Sequence, residues 1–222
     1  QGIATAHNQA VAYAASQGAV WVLLLDQDST LLPEALPVLQ RGLAALPNRE
    51  KTGVLALNYT LAGGRLGYRL YHHNQGVIPC SLPISSGSLV NVAIWQSLGG
   101  VCETYFIDHV DHEYALRLRQ AGYQTWATCE VGLSHAIGQT QVRRVVGWQR
   151  HVKQHSPLRR FYMTRNLCWL SRAYLLREPR LLLRLWCEQG KTMLLAFFNR
   201  QHWWRNQRAF VQGVWHGLTT KP

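Results

Sequence analysis

The sequence predicts an α/β fold: a sheet sandwiched by helices over residues 1–140, followed by a helical, basic C-terminal appendage over 141–222. Three observations carry this. Helix-like and strand-like stretches alternate up to about residue 128. The strand-like stretches are short apolar runs bounded by turn residues, as in strands covered on both faces. Beyond about Gly138 the pattern becomes amphipathic-helical, with a large excess of cations.

Residues 2–18 read as a helix, with alanine at 4, 6, 10, 12, 14 and 15 and a stop at Gly18. Ala19-Val20-Trp21-Val22-Leu23-Leu24-Leu25 reads as a buried strand that ends at Asp26. Asp28-Ser29-Thr30 offers helix-capping side chains, and Pro33-Glu34 suits the first turn of a second helix reaching about Leu46. Val54–Tyr59 is the next strand, Gly63-Gly64 a turn, and 65–80 a strand or an irregular crossing. Residues 87–98 suit a short helix, 111–121 a clearer one stopped by Gly122, and Gln124–Thr128 a strand. Residues 157–178 and 180–212 read as amphipathic helices interrupted at Pro179.

Composition narrows the class. The 222 residues are 47% hydrophobic and 15% charged, enough to bury a core and unlike a disordered polyelectrolyte. No apolar run approaches the roughly 18 residues of a membrane span. The polar, small residues after Gln1 predict no secretory signal. Five widely spaced cysteines without a CxxC pair argue against a disulfide scaffold or cysteine zinc site and fit a reducing compartment.

Charge is unevenly placed. Residues 1–140 hold 7 Lys/Arg against 9 Asp/Glu, a net of −2; residues 141–222 hold 16 against 2, a net of +14, with six of the nine tryptophans. Such a segment favours a polyanion, either nucleic acid or an anionic membrane face. A solvated basic surface without a partner is the plain alternative.

The chain has four aspartates, Asp26, Asp28, Asp108 and Asp111, in two tight clusters. In Asp26-Gln27-Asp28, leaving a strand, both carboxylates point the same way and can meet one hard cation such as Mg²⁺ or Mn²⁺. The competing reading makes Asp28 a helix cap. Asp111 opens a helix, whose positive end favours its carboxylate form, so it can take a proton from a substrate hydroxyl. The competing reading is again capping, with Glu113 and Arg117 an ordinary i,i+4 pair. His135 gains interest only beside these acids: a neutral imidazole completes a divalent-metal shell.

Taken together, these motifs resemble a GT-A type family 2 glycosyltransferase, nearest the bacterial rhamnosyltransferase branch. The resemblance runs through Gly2–Asn8, Leu24-Leu25-Asp26-Gln27-Asp28-Ser29, Ser85-Ser86-Gly87-Ser88 and Leu98-Gly99-Gly100. It is strongest over Tyr105–Tyr114 with Arg117-Leu118-Arg119, Gly122-Tyr123 and His135, and it returns at Arg160–Asn166. It implies a GT-A-like (Rossmann-like) mixed sheet and an inverting transfer from a sugar nucleotide, dTDP-rhamnose in this branch, to a glycan or lipid-linked acceptor. Asp26, Asp28 and His135 match its Mn²⁺ or Mg²⁺ ligands and Asp111 its general base. Gly2, Asn8, Asp26 and Gln27 match the donor side; Ser86, Gly87, Asp108 and Glu113 match the donor–acceptor junction. Family members carry a strand–helix–strand unit holding the nucleotide base before the Asn8 segment, so the chain is expected to lack it.

On that reading the protein is cytoplasmic and peripheral at the inner membrane face, with Trp203, Trp204 and Trp215 at the interface and Arg200, Arg205 and Arg208 over anionic headgroups. One rival is a truncated, inactive homologue that binds a membrane or polyanion. The other is a non-catalytic nucleic-acid-binding protein, which the charge permits but which leaves the clustered aspartates unexplained.

Overall fold

The computed structural model describes residues 2–61, 64–68, 76–135, 140–145, 148–153, 155–197 and 203–222. The fold is mixed α/β and divides into two compact units. The first comprises residues 3–103 and 110–137, the second 104–109 and 138–222 together with Gly2.

The first unit runs α1 (Ile3–Ser16), β1 (Trp21–Leu24), β2 (Ser29–Leu31), α2 (Ala35–Ala44), β3 (Thr52–Thr60), β4 (Val77–Pro79), β5 (Ser88–Asn91), α3 (Val92–Ser97), α4 (Val110–Gln120) and β6 (Gln124–His135). The sheet order is β1-β5-β3-β6-β2, with β4 also paired to β6. β3 and β6 are parallel and the other pairs antiparallel, so the sheet is mixed. β3 lies between β5 and β6, which is why eight of its nine residues are buried. Leu55 and Leu57 of β3 and Leu133 of β6 form a core with Ala35, Val38 and Leu39 of α2.

Several elements differ from the sequence-based expectation. β1 is shorter than the apolar run, and Val20 and Leu25 are exposed, because among the described residues it is an edge strand paired only with β5. Ser29–Leu31 is not a helix cap but strand β2, paired to the far end of β6. Helix α2 starts only at Ala35, with Glu34 at its N-cap position. Residues 88–91 form a strand wedged between β1 and β3, and only 92–97 are helical. β6 continues past Thr128 to His135, kept beside β3 by register shifts around Asn58. Gly63 and residues 69–75 of the 65–80 crossing lie outside the described residues, and its end forms β4.

The second unit opens with an antiparallel hairpin, β7 (Thr140–Val145) and β8 (Trp148–Lys153), where the sequence suggested only a change of texture. Helices α5 (Pro157–Tyr174), α6 (Pro179–Phe197) and α7 (Trp203–Thr219) follow; the expected helix over 180–212 covers α6 and the first part of α7, with 198–202 outside the described residues. Ser156 caps α5, accepting from the Arg159 N–H, with Pro157 in the first turn. α7 packs closely on α5 through Gly213 and Gly217: a Cβ at 213 would lie 2.7 Å from the Phe161 carbonyl oxygen, and one at 217 would meet Cys168. Small residues therefore occupy the inner face of α7, and Trp204, Val211, Trp215 and Leu218 its outer one, 77%, 63%, 67% and 58% exposed.

Residues 104–109 are held by α5. Phe106, Asp108 and His109 all have φ near +60° (61°, 61° and 60°), a conformation unfavourable for non-glycine residues. The Asn166 amide donates to the carbonyls of Tyr105, Ile107 and Asp108 at 2.8, 2.9 and 2.8 Å, and Arg159 binds the Asp108 carboxylate at 2.9 Å. Next to them on α5, Arg160 is buried and donates to Met193 Sδ; it has no acidic partner among the described residues, and burial pushes its pKa down. No helix among the described residues is long and apolar enough to cross a membrane.

Candidate active site

The site is built in the first unit where β1 ends. The Ser29 N–H donates to the Asp26 carbonyl at 3.1 Å, closing a tight turn that carries Asp26, Gln27 and Asp28 straight into β2. β2 pairs with β6 so that Ser29 lies opposite His135. The Asp-x-Asp turn and the last residue of β6 therefore meet. Ligand atoms of Asp26, Asp28 and His135 lie within 4.8 Å of one another. Asp26 and His135 are half-buried and Asp28 is exposed, an arrangement open to a ligand on one side.

A second layer holds this cluster. The Asp26 N–H donates to Ser86 Oγ at 3.1 Å, Ser86 Oγ–H donates to Ser29 Oγ at 2.7 Å, and Ser29 Oγ lies 2.7 Å from His135 Nδ1. Gly87 makes Ser86 available here. Its φ of +79° and a Cβ position 2.9 Å from Leu133 Cδ2 favour glycine, and its backbone joins the Leu24 carbonyl to the Leu57 N–H. The Tyr59 ring packs edge-on to His135.

Burial pushes the Asp26 carboxyl above its ordinary range; His135 counters this, Asp28 adds to it, His7 counters it and Asp111 adds again. Three acids thus act on one half-buried place, the electrostatic condition that a cation relieves. Asp111, in the first turn of α4, is half-buried and lines a small cavity together with His7 of α1.

The other expected site residues are placed as follows. The Asn8 side chain donates to the Val101 carbonyl and Glu103, and accepts from the Val101 N–H, tying α1 to the loop before residue 104. Gln27 is exposed at the tip of the turn. Glu113 is buried and engaged by Arg117 at 2.9 Å, and Arg117 also donates to the carbonyls of Leu98 and Gly100. Glu113 therefore fixes α4. Gly2 and Asp108 belong to the second unit, where Gly2 lies against the Phe106 backbone and Asp108 is bound by Arg159.

No family model matches the chain. The chain is similar to the dTDP-rhamnosyl transferase RfbF of Shigella flexneri. Identity is 31% over 184 residues, covering 78% of this chain and 60% of that protein, so the chain spans about three fifths of the length of its relative. Two residues that the sequence did not single out act on the cluster: Ser29 through His135 and His7 through Asp26. Ser29 looked like a capping residue, and its role exists only through the β2–β6 pairing. His7 had no spacing logic of its own; its signal was its place in the Gly2–Asn8 segment, one residue before Asn8.

Proposed function

We propose that the protein is a metal-dependent, inverting glycosyltransferase of GT-A type, family 2. It moves L-rhamnose from dTDP-rhamnose to a glycan or lipid-linked acceptor in cell-surface polysaccharide synthesis. The observation that carries this reading is the convergence of Asp26, Asp28 and His135 within 4.8 Å, with Asp111 acting on the same place. Two carboxylates and an imidazole are a donor set suited to Mn²⁺ or Mg²⁺. When bound, the cation supplies neutralisation of charge on the departing nucleoside diphosphate.

The chain's own groups do the rest. Ser29, holding His135 through Nδ1, leaves Nε2 free to ligate. Asp111 accepts the proton of the acceptor hydroxyl as that oxygen attacks the anomeric carbon from the face opposite the leaving diphosphate. One bond forms, one breaks, the electron pair leaves with the diphosphate, and the anomeric centre is inverted. Glu113 and Arg117 keep α4, and with it Asp111, in place. The outer face of α7, with Trp204 and Trp215 beside exposed Arg205 and Arg208, seats the helical unit on an anionic membrane. Trp203 is half-buried and is not part of that face, and Arg200 lies outside the described residues.

The test is a screen of sugar nucleotides for hydrolysis and transfer with Mn²⁺, Mg²⁺ and chelator, on the protein and on Asp111→Asn. Turnover of dTDP-rhamnose should need the metal. It should fall by roughly 10²–10⁴-fold in Asp111→Asn with donor affinity retained. Chelator-insensitive turnover, or an Asp111→Asn variant as fast as the parent, would refute the assignment.

A further inference from the structure

His7 lies on α1 and is 9% exposed. Its Nδ1 is buried and has no hydrogen-bond partner among the described residues. Buried polar atoms are nearly always paired, so an unpaired one that borders a cavity marks the place of a ligand. His7 borders such a cavity, about 20 Å³ in volume, together with Asp111, Ser85 and Ser88 and the apolar Ile84 and Trp95. That volume holds one water molecule or one hydroxyl group and nothing larger, since a water needs roughly 10–15 Å³ on the same measure. Ser88 is already committed, donating to the Ile84 carbonyl at 2.6 Å.

We infer that His7 is a hydroxyl-binding residue of this site: its Nδ1 accepts a hydrogen bond from an O–H group that enters the cavity beside Asp111. The chemistry fits an acceptor nitrogen. Burial favours the neutral ring, against the pull of Asp26 and Asp111 towards the imidazolium. A neutral ring with the proton on Nε2 presents a lone pair at Nδ1. The O–H comes either from an ordered water or from a hydroxyl of the bound sugar, and only the second source rests on the transferase reading above.

The experiment has two arms. In the first, a crystal structure of the protein without ligand and long-range ¹⁵N–¹H spectra of His7 read its tautomer and its partner. In the second, calorimetry with dTDP-rhamnose and Mn²⁺ compares the parent with His7→Phe, which keeps a ring but no acceptor, and His7→Asn, whose Oδ1 takes the place of Nδ1. A water on Nδ1 with unchanged donor affinity in both variants identifies water as the source. No water, with affinity lowered up to about tenfold in His7→Phe and restored in His7→Asn, identifies a sugar hydroxyl. A proton on Nδ1, or neither a water nor any change in donor affinity, overturns the inference. A parent protein that binds no dTDP-rhamnose overturns the proposed function instead, and leaves the first arm to decide His7.

Discussion

Ser29 and His135 face each other across the β2–β6 pair, and Ser29 Oγ lies 2.7 Å from His135 Nδ1. A hydrogen bond at one ring nitrogen fixes which nitrogen is left for a metal, and loss of such supporting partners weakens metal binding. Ser29→Ala should therefore lower Mn²⁺ affinity by about 10–100-fold while leaving the fold intact. Calorimetric titration with Mn²⁺ decides it; an unchanged affinity removes Ser29 from the site.

Asp26 gives a prediction with a sign. Burial raises its folded pKa above the unfolded value, so the folded state holds its proton more tightly. Its contribution is fully present below the unfolded pKa of about 3.9 and is lost as pH rises through the folded value. In metal-free protein at pH 7.5, Asp26→Asn should thus melt at a higher temperature than the parent. The gap should close as pH falls below about 4. Added Mn²⁺ should stabilise the parent and not the variant. Equal melting temperatures at pH 7.5 would contradict the electrostatic account.

The outer face of α7 predicts vesicle binding. Trp204→Ser with Trp215→Ser should reduce co-sedimentation with anionic phosphatidylglycerol vesicles by about tenfold or more, because two large interfacial side chains are lost. Binding to neutral phosphatidylcholine vesicles should be weak throughout. Co-sedimentation indifferent to lipid charge or to both tryptophans would count against docking through α7.

Asn166 satisfies three carbonyls of the 104–109 loop with one amide. Asn166→Ala should cost about 3 kcal/mol, in the range for buried groups left without a partner. Asn166→Asp should cost at least as much despite its matched size, since it sets an oxygen against those carbonyls. Denaturant titration measures both, and a neutral Asn166→Asp would mean that the loop is held by other contacts.

Arg160 points the other way. It is buried without an acidic partner among the described residues, and the residues outside that set contain no aspartate or glutamate. Replacing a buried charge by an apolar group of similar length is often stabilising. Arg160→Met should raise stability by about 1 kcal/mol or more on that ground, read from denaturant midpoints. Strong destabilisation would show that the guanidinium is compensated within the fold.

Much of the first unit was legible because its signals are local. The run ending at Asp26 announced a strand end, and the spacing after Val110 announced α4. The corrections have a common cause, which is that pairing partners distant in sequence decided them. Ser29-Thr30-Leu31 carries capping chemistry, and only β6 makes it a strand. Ser88–Asn91 became a strand because β1 and β3 flank it. The basic residues of 140–153 hid a hairpin. Asp and His tolerate a left-handed backbone better than most residues, but Phe106 gives no such signal, and the Asn166 amide that holds the carbonyls of 105, 107 and 108 lies far along the chain. For the site, the Asp-x-Asp and His135 were readable as residue types at strand ends. The contacts of Ser29, Ser86 and His7 with that cluster arise only from tertiary structure.

The path of the polypeptide has a practical corollary. It enters the second unit at residue 104, returns to the first at 110 and crosses again at 138. A gene fragment stopped at 137 would not simply shed a tail. It would keep the 104–109 excursion while discarding Asn166 and Arg159, leaving three left-handed residues to relax immediately before the helix that presents Asp111. Dissection of this protein by truncation should therefore disturb the setting of Asp111 even though the shortened version still contains that side chain.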